Sequence, residues 1–282
     1  MKCFYHRDLD GKCAGAIVYQ SIAPFGMGKK LPTMIDIDYK DTLDLKTILP
    51  NEKIWIVDFS FKPEIMEEIL KITKDIIWID HHKTAMEYKY SIELVGIRDN
   101  NFSGCELTWK YLYPNMSMPK IVEMLGRYDV WDFSKYGNDL NILQTGIRLY
   151  EHNPEHLNWS EWFKHYEKLE RKLTDGKIAL RYRDNQYASQ IKAWSFFTEF
   201  EGYKAVCCNA GSVSSQLFDS VKDDYDLMIP FVFDGKQWTV SLYTKKDIDC
   251  SEIAKKYGGG GHKQASGFQC KELPFLPRSQ FK

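Results

Sequence analysis

The sequence predicts an α/β fold in two domains. It has an N-terminal, mostly parallel sheet with helices on both faces, a linker helix, and a smaller C-terminal α/β domain. Three observations carry this reading. The apolar runs IWIVD (54–58) and IIWID (76–80) flank one helix-length segment, which makes a βαβ unit with parallel strands. Residues 155–190 carry no proline and are rich in Trp, Tyr, Glu, Lys and Arg, as a connecting helix would be. Beyond them, strand-like and helix-like segments resume with a different texture. The expected divisions are 1–150, 151–195 and 196–282.

The elements run in order along the chain. KCFYH (2–6) reads as a short buried strand, Asp8-Leu9-Asp10-Gly11 as a turn, and KCAGAIVYQSI (12–22) as a helix with a small-residue face. TMIDIDY (33–39) alternates apolar and polar as a strand does. Pro63 suits the first turn of a helix over 63–73, between the strands at 54–58 and 76–80. Ser103 opens a helix over 103–113, and another over 119–128 runs into GRYDVWDF (126–133). In the C-terminal part, 203–210, 226–233 and 236–244 read as strands, and 215–222 and 250–258 as helices. A last strand comes after the glycine run at 258–267.

Composition narrows the class. Hydrophobic content of 44% with 27% charged residues is that of a soluble globular protein. The formal net charge is −1. Proteins that track long nucleic acid carry a basic surplus to neutralise phosphates, so balance tilts towards small or short anionic ligands. Seven cysteines without a C-x-x-C, no signal-peptide pattern and no membrane-length apolar run point to a reduced, cytoplasmic protein with no membrane partner.

The chemistry gathers at apparent strand ends. The first strand delivers His6, Asp8 and Asp10, the next apolar run Asp58, the one after it Asp80, His81 and His82, and a later segment Asp129. Alone, each piece is an ordinary turn or helix cap. Together they place three of the chain's seven histidines among carboxylates on one sheet edge, where open α/β sheets bind ligands. Imidazole with carboxylate suits Mn²⁺, Mg²⁺, Fe²⁺ or Zn²⁺, and the lack of paired thiols argues against structural zinc. The donors suffice for two ions: His6 and Asp8 for one, Asp10, His81 and Asp129 for the other, and Asp58 between them. His82 is left to hydrogen-bond a phosphate oxygen or protonate a leaving group.

HRDLDG, IWIVD, WIDHH and YDVWDF resemble, in order, the four motifs of the DHH phosphoesterase superfamily. SEIAKKYGGGGHKQASGF (251–268) resembles the glycine-rich signature of the DHH-associated C-terminal domain of its RecJ and nanoRNase branches. The resemblance implies two α/β domains with the active site in the cleft between them. It also implies hydrolysis of phosphoanhydride or phosphodiester bonds with two divalent ions, Mn²⁺ first among them. It assigns the ligands to His6, Asp8, Asp10, Asp58, His81 and Asp129, with Asp132 as competitor for Asp129. His82 faces substrate and Asp80 orients the histidines. The catalytic set is then His82, Asp58 and Asp80. One departure matters. Ser241-Leu242-Tyr243-Thr244 stands where relatives carry a substrate-gripping arginine, which leaves Tyr243 as a base-stacking or phosphate-gripping candidate.

GGGGHKQASG (258–267) fails the P-loop order, because His262 precedes Lys263 and Gln264 comes after it. It reads either as a turn or as a backbone-amide nest for phosphate, with Gly259, Gly260, Gly261, His262 and Lys263 as substrate contacts. The resulting expectation is a nanoRNase-like hydrolase of short oligonucleotides, acting also on 3′-phosphoadenosine phosphate or dinucleotides. Alternatives are a cyclic-dinucleotide phosphodiesterase, a RecJ-like single-strand exonuclease or an inactive nucleotide-sensing module. A homodimer is left open.

Overall fold

The apolar runs alternate which face they bury, and this decides how the N-terminal half folds. In the computed structural model, which describes residues 1–22, 31–83, 85–165 and 167–275, they form a four-stranded sheet. The strands are β1 (Lys2–His6), β2 (Thr33–Ile37), β3 (Ile54–Val57) and β4 (Ile76–Ile79). Their order is β2-β1-β3-β4, all parallel. Cys3, Tyr5, Trp55, Val57, Ile77 and Ile79 point to one face. Phe4, Ile54, Ile56, Ile76 and Trp78 point to the other. Both faces must therefore be covered, and the continuous apolar runs are the mark of such a sheet.

On the first face pack α1 (Leu9–Ile22), α3 (Gly104–Leu112) and α4 (Lys120–Asp129), and their core extends to α5 (Asp139–Ile147) and α6 (Leu157–Lys164). On the second face α2 (Pro63–Ile72) buries Met66, Ile69 and Leu70, with Pro63 in its first turn as expected. Burying a side chain of this size is worth about 1.5–3 kcal/mol, so each face holds its helices firmly.

Chain contacts divide the protein into two units, 1–180 and 181–282, and α7 (Glu167–Trp194) runs through the division. The second unit holds a six-stranded mixed sheet. Its strands are β5 (Ser195–Phe200), β6 (Tyr203–Asn209), β7 (Leu227–Phe233), β8 (Trp238–Tyr243), β9 (Gly260–His262) and β10 (Ala265–Cys270). The order is β5-β6-β7-β8-β10-β9, with only β6 and β7 parallel. Helix α8 (Cys250–Lys256) contributes Ile253 and Ala254 to one face.

The structure departs from the sequence reading in several places. Helix α1 starts at Leu9, not Lys12, because Asp8 caps it: Asp8 Oδ1 accepts the Gly11 amide at 2.9 Å and the Asp8 carbonyl the Lys12 amide at 3.0 Å. Residues 155–190 make two helices, and 215–222 holds only the single 3₁₀ turn Ser215–Phe218. Within the glycine run, Gly260–His262 forms the outermost strand, paired with β10. No helix of the described residues is long and apolar enough to cross a membrane.

Candidate metal centre

Parallel strands point their carboxyl ends the same way, and the chain places its donors there. His6 ends β1, and Asp58 and Asp80 directly succeed β3 and β4. Asp8 and Asp10 enter with the cap and first turn of α1, and Asp129 closes α4. Asp58 adopts a left-handed backbone at φ 55°, which Asp tolerates better than most residues, and its amide still bonds the Ile79 carbonyl at 2.8 Å. Close packing requires a glycine beside it. A Cβ on Gly104 would lie 2.4 Å from the Asp58 Cβ.

The donors gather into two sets of three, each with one ligand atom per residue and those atoms within 4.8 Å of one another. His6, Asp8 and Asp58 form one, and Asp10, His81 and Asp129 the other. Asp58, His81 and His82 form a third set that overlaps both groups. Asp58 links them, with Oδ2 3.7 Å from His6 Nδ1 and Oδ1 3.1 Å from His81 Nε2. His81 Nε2 is also 3.2 Å from Asp129 Oδ2. Asp132 is not brought in. It lies exposed on the surface, capping Ser134 and reaching Arg127 at 3.5 Å.

Two atoms show what the cluster is short of. His6 Nδ1 and Asp58 Oδ1 are buried and make no hydrogen bond, although His6 Nδ1 lies 2.9 Å from Asp8 Oδ2. Orphaned buried polar atoms are rare because each costs about 1–3 kcal/mol. An imidazole nitrogen and a carboxylate oxygen buried without hydrogen bonds are groups that a divalent cation accepts as ligands.

Electrostatics agree. Burial, then repulsion from Asp10 and Asp8, raises the Asp58 carboxyl well above the usual carboxylate range. Burial, then Asp10, Asp58 and Asp8, pushes Asp129 up to about 9. Two like charges 4 Å apart cost roughly 4 kcal/mol at an effective dielectric of about 20, enough to hold a proton on one of them. Burial opposes a charged His6, but the nearby Asp58 and Asp8 carboxylates outweigh this and raise it to about 11.

Asp80 sits outside the donor sets and does a different job. Its Oδ1 accepts the His81 amide at 2.7 Å, the His82 amide at 3.2 Å and meets His82 Nδ1 at 2.7 Å. Its Oδ2 takes the Ser60 hydroxyl, and Ser60 Oγ in turn accepts from Trp78 Nε1 at 2.9 Å. Burial works against the Asp80 charge, yet the His82 bond keeps its carboxyl below the usual range. Burial likewise opposes a charged His82, and Asp80 raises it regardless. His82 is thus held with its proton on Nδ1, and Nε2 is the free nitrogen.

Sequence reasoning placed the start of α3 at Ser103 but missed its role at the site. The amides of Gly104 and Cys105 donate to Asp10 Oδ2 and Oδ1 at 2.7 and 3.1 Å, so a helix N-terminus holds the Asp10 carboxylate. Glu106, in a capping box with Ser103, also pairs with Arg127 and so ties this helix start to the end of α4 that carries Asp129.

In the second unit Tyr243 is half-buried, against the face that holds Val206 and Met228. Lys263 Nζ pairs with Asp247 at 2.5 Å. A Cβ on Gly259 would meet the Gly267 carbonyl at 2.1 Å, and one on Gly261 the Ser266 Cα at 2.6 Å. Close hairpin packing therefore accounts for these two glycines. Gly260 meets nothing and lies on the outermost strand. The side chain of His262 is outside the described residues.

Known proteins share both units. The DHH family N-terminal domain matches residues 3–127 and the DHHA1 domain matches 203–279. The chain is 26% identical to an uncharacterized protein of Acanthamoeba polyphaga mimivirus, over 80% of this chain and 55% of that one, so it spans about half of that relative's length. It is also 26% identical to oligoribonuclease NrnB of Bacillus subtilis strain 168, over 94% of this chain and 71% of NrnB. Two solved structures share the fold at 14% identity. The pGpG-specific phosphodiesterase PggH of Vibrio cholerae has a TM-score of 0.52, with 96% of this chain and 94% of that one covered. Exonuclease RecJ bound to manganese has a TM-score of 0.50, with 95% and 85% covered.

Proposed function

The chain belongs to the DHH superfamily, with a DHHA1 domain after its DHH domain, and we propose that this phosphoesterase hydrolyses oligoribonucleotides of two to a few residues. The observation that carries the proposal is the double set of donors linked by Asp58, with His6 Nδ1 and Asp58 Oδ1 left unbonded. His6, Asp8 and Asp58 would hold one divalent ion, and Asp10, His81 and Asp129 the other. Mn²⁺ suits this mixture of imidazole and carboxylate, and the RecJ structure contains it. When bound, the ions supply positive charge for the phosphoryl oxygens and lower the pKa of an attacking water.

The chain's own groups do the rest. Asp80 fixes the His82 ring and favours its protonated form. His82 Nε2 then donates to a phosphoryl oxygen or to the departing oxygen. The α3 amides hold Asp10 in place without a flexible partner. Short substrates fit the net charge of −1, the likeness to an oligoribonuclease, and a neighbour specific for the dinucleotide pGpG. Substrate binding by Tyr243, Gly259, Gly260, Gly261, His262 and Lys263 belongs to the same proposal.

The test is a substrate panel with purified protein and Mn²⁺. It compares di- to pentaribonucleotides, cyclic dinucleotides, 3′-phosphoadenosine phosphate, pyrophosphate and long single-stranded DNA. Highest kcat/KM on the di- and triribonucleotides is expected. Preference for long DNA, or cleavage of pyrophosphate alone, would overturn the proposal.

A further inference from the structure

Tyr39 stands beside the candidate ligands, yet neither metal binding nor proton transfer uses it. It lies beyond β2 in the turn Asp38–Asp41, which the Asp41 amide closes onto the Asp38 carbonyl at 2.9 Å. Arg7, the residue between His6 and Asp8, clamps this turn. Its Nε donates to Asp36 Oδ2 at 2.8 Å and its Nη2 to Asp41 Oδ2 at 2.6 Å. Asp41 Oδ2 also takes the Asp38 amide at 2.9 Å, and Asp38 Oδ1 the Tyr39 amide at 2.6 Å. The backbone that carries Tyr39 is thus set before any substrate arrives.

The ring is placed with equal definition. Its centroid lies 4.8 Å from Phe59, 5.8 Å from His82 and 5.9 Å from His6. Phe59 beneath it is buried, whereas Tyr39 keeps 45% of its surface open. An aromatic held rigidly, with open surface beside the His82 imidazole proposed to meet phosphate, suits stacking on a base. The Tyr39 hydroxyl bonds to no described residue, and stacking needs none.

We propose that Tyr39 stacks on the nucleobase next to the scissile phosphate and makes the site prefer nucleotides over other phosphodiesters. The proposal rests on the phosphodiesterase reading of the metal centre. Stacking contributes on the order of a tenfold gain per base at the lower end of its range.

The experiment compares kcat/KM on a diribonucleotide with kcat/KM on the same molecule lacking one base, each side in turn, with Mn²⁺ present. The parent should prefer the intact dinucleotide over one of the two abasic forms. Tyr39→Leu should shrink that preference about tenfold, while Tyr39→Phe and Tyr39→Trp keep it or raise it. Should Tyr39→Leu fail to fold by thermal melt, the Phe and Trp variants decide, and loss of the preference in both would overturn the proposal. An equal fall on intact and abasic substrates would overturn it too, by showing that Tyr39 only supports the histidines. A parent that cleaves neither substrate but does cleave pyrophosphate would sink the functional reading itself. Normal parental preference with no change in Tyr39→Leu would sink the stacking role alone.

Discussion

Asp58→Asn is the most informative single change. The side chain is 1% exposed and links both donor sets, at 3.7 Å from His6 Nδ1 and 3.1 Å from His81 Nε2. Asn keeps the shape and tolerates the left-handed φ of 55°, so the backbone need not move. Without divalent ions the buried, crowded Asp58 carboxyl has a strongly raised pKa. A neutral amide in its place should therefore leave metal-free stability within about 1 kcal/mol of the parent. With ions the sign reverses. A ligand present at a hundred times its dissociation constant stabilises the fold by about 2.7 kcal/mol. For a unit of this size that is a rise in Tm of roughly 5–10 °C. Losing the shared carboxylate should cut the rise to under about 2 °C and reduce turnover at least a hundredfold. Melting curves with EDTA and with Mn²⁺ at a hundred times its dissociation constant, beside phosphodiester turnover, measure both. A variant that keeps the full Mn²⁺-induced rise would refute the linking role of Asp58. So would one that melts far below the parent in EDTA.

The same geometry sets three further outcomes. Asp129 is pushed up to about 9, so the metal-free protein carries its proton at pH 7, and Mn²⁺ binding should release it. Titration calorimetry at pH 7 in two buffers of different ionisation enthalpy should show that release. Because the raised pKa favours the fold at low pH and loses that favour as pH climbs through about 9, Asp129→Asn should flatten the stability of the metal-free protein between about pH 4 and 9. Gly104→Ala puts a methyl 2.4 Å from the Asp58 Cβ. It should cost about 1–3 kcal/mol of stability and weaken Mn²⁺ binding more than tenfold, checked by denaturant unfolding and calorimetry.

The part of the site that was legible obeyed one rule: a buried parallel strand is apolar until it ends, and the residues just past its end face a shared edge. His6, Asp58, Asp80 and His81 could be read that way because each closes or succeeds a short run. Contacts between distant segments were not legible. The bond from the Gly104 amide to Asp10 spans 94 positions, and no local pattern announces it. Local chemistry also misled where two elements compete for the same residue. Asp8-Leu9-Asp10-Gly11 has the composition of a turn, yet Asp8 uses its carboxylate to cap a helix at once. In the second unit, Gly260–His262 has no strand propensity and becomes a strand because β10 offers it an edge to pair with. Ser195–Phe200 went unread for a related reason. Its half-exposed residues give little apolar alternation, and pairing with β6 makes it a strand.

Anomalous diffraction at the manganese edge, from crystals grown with Mn²⁺, would probe the cation pair directly. Two peaks are expected, one among His6, Asp8 and Asp58 and a second among Asp10, His81 and Asp129. Crystals soaked in saturating Mn²⁺ with no peak at either place would contradict the two-ion site.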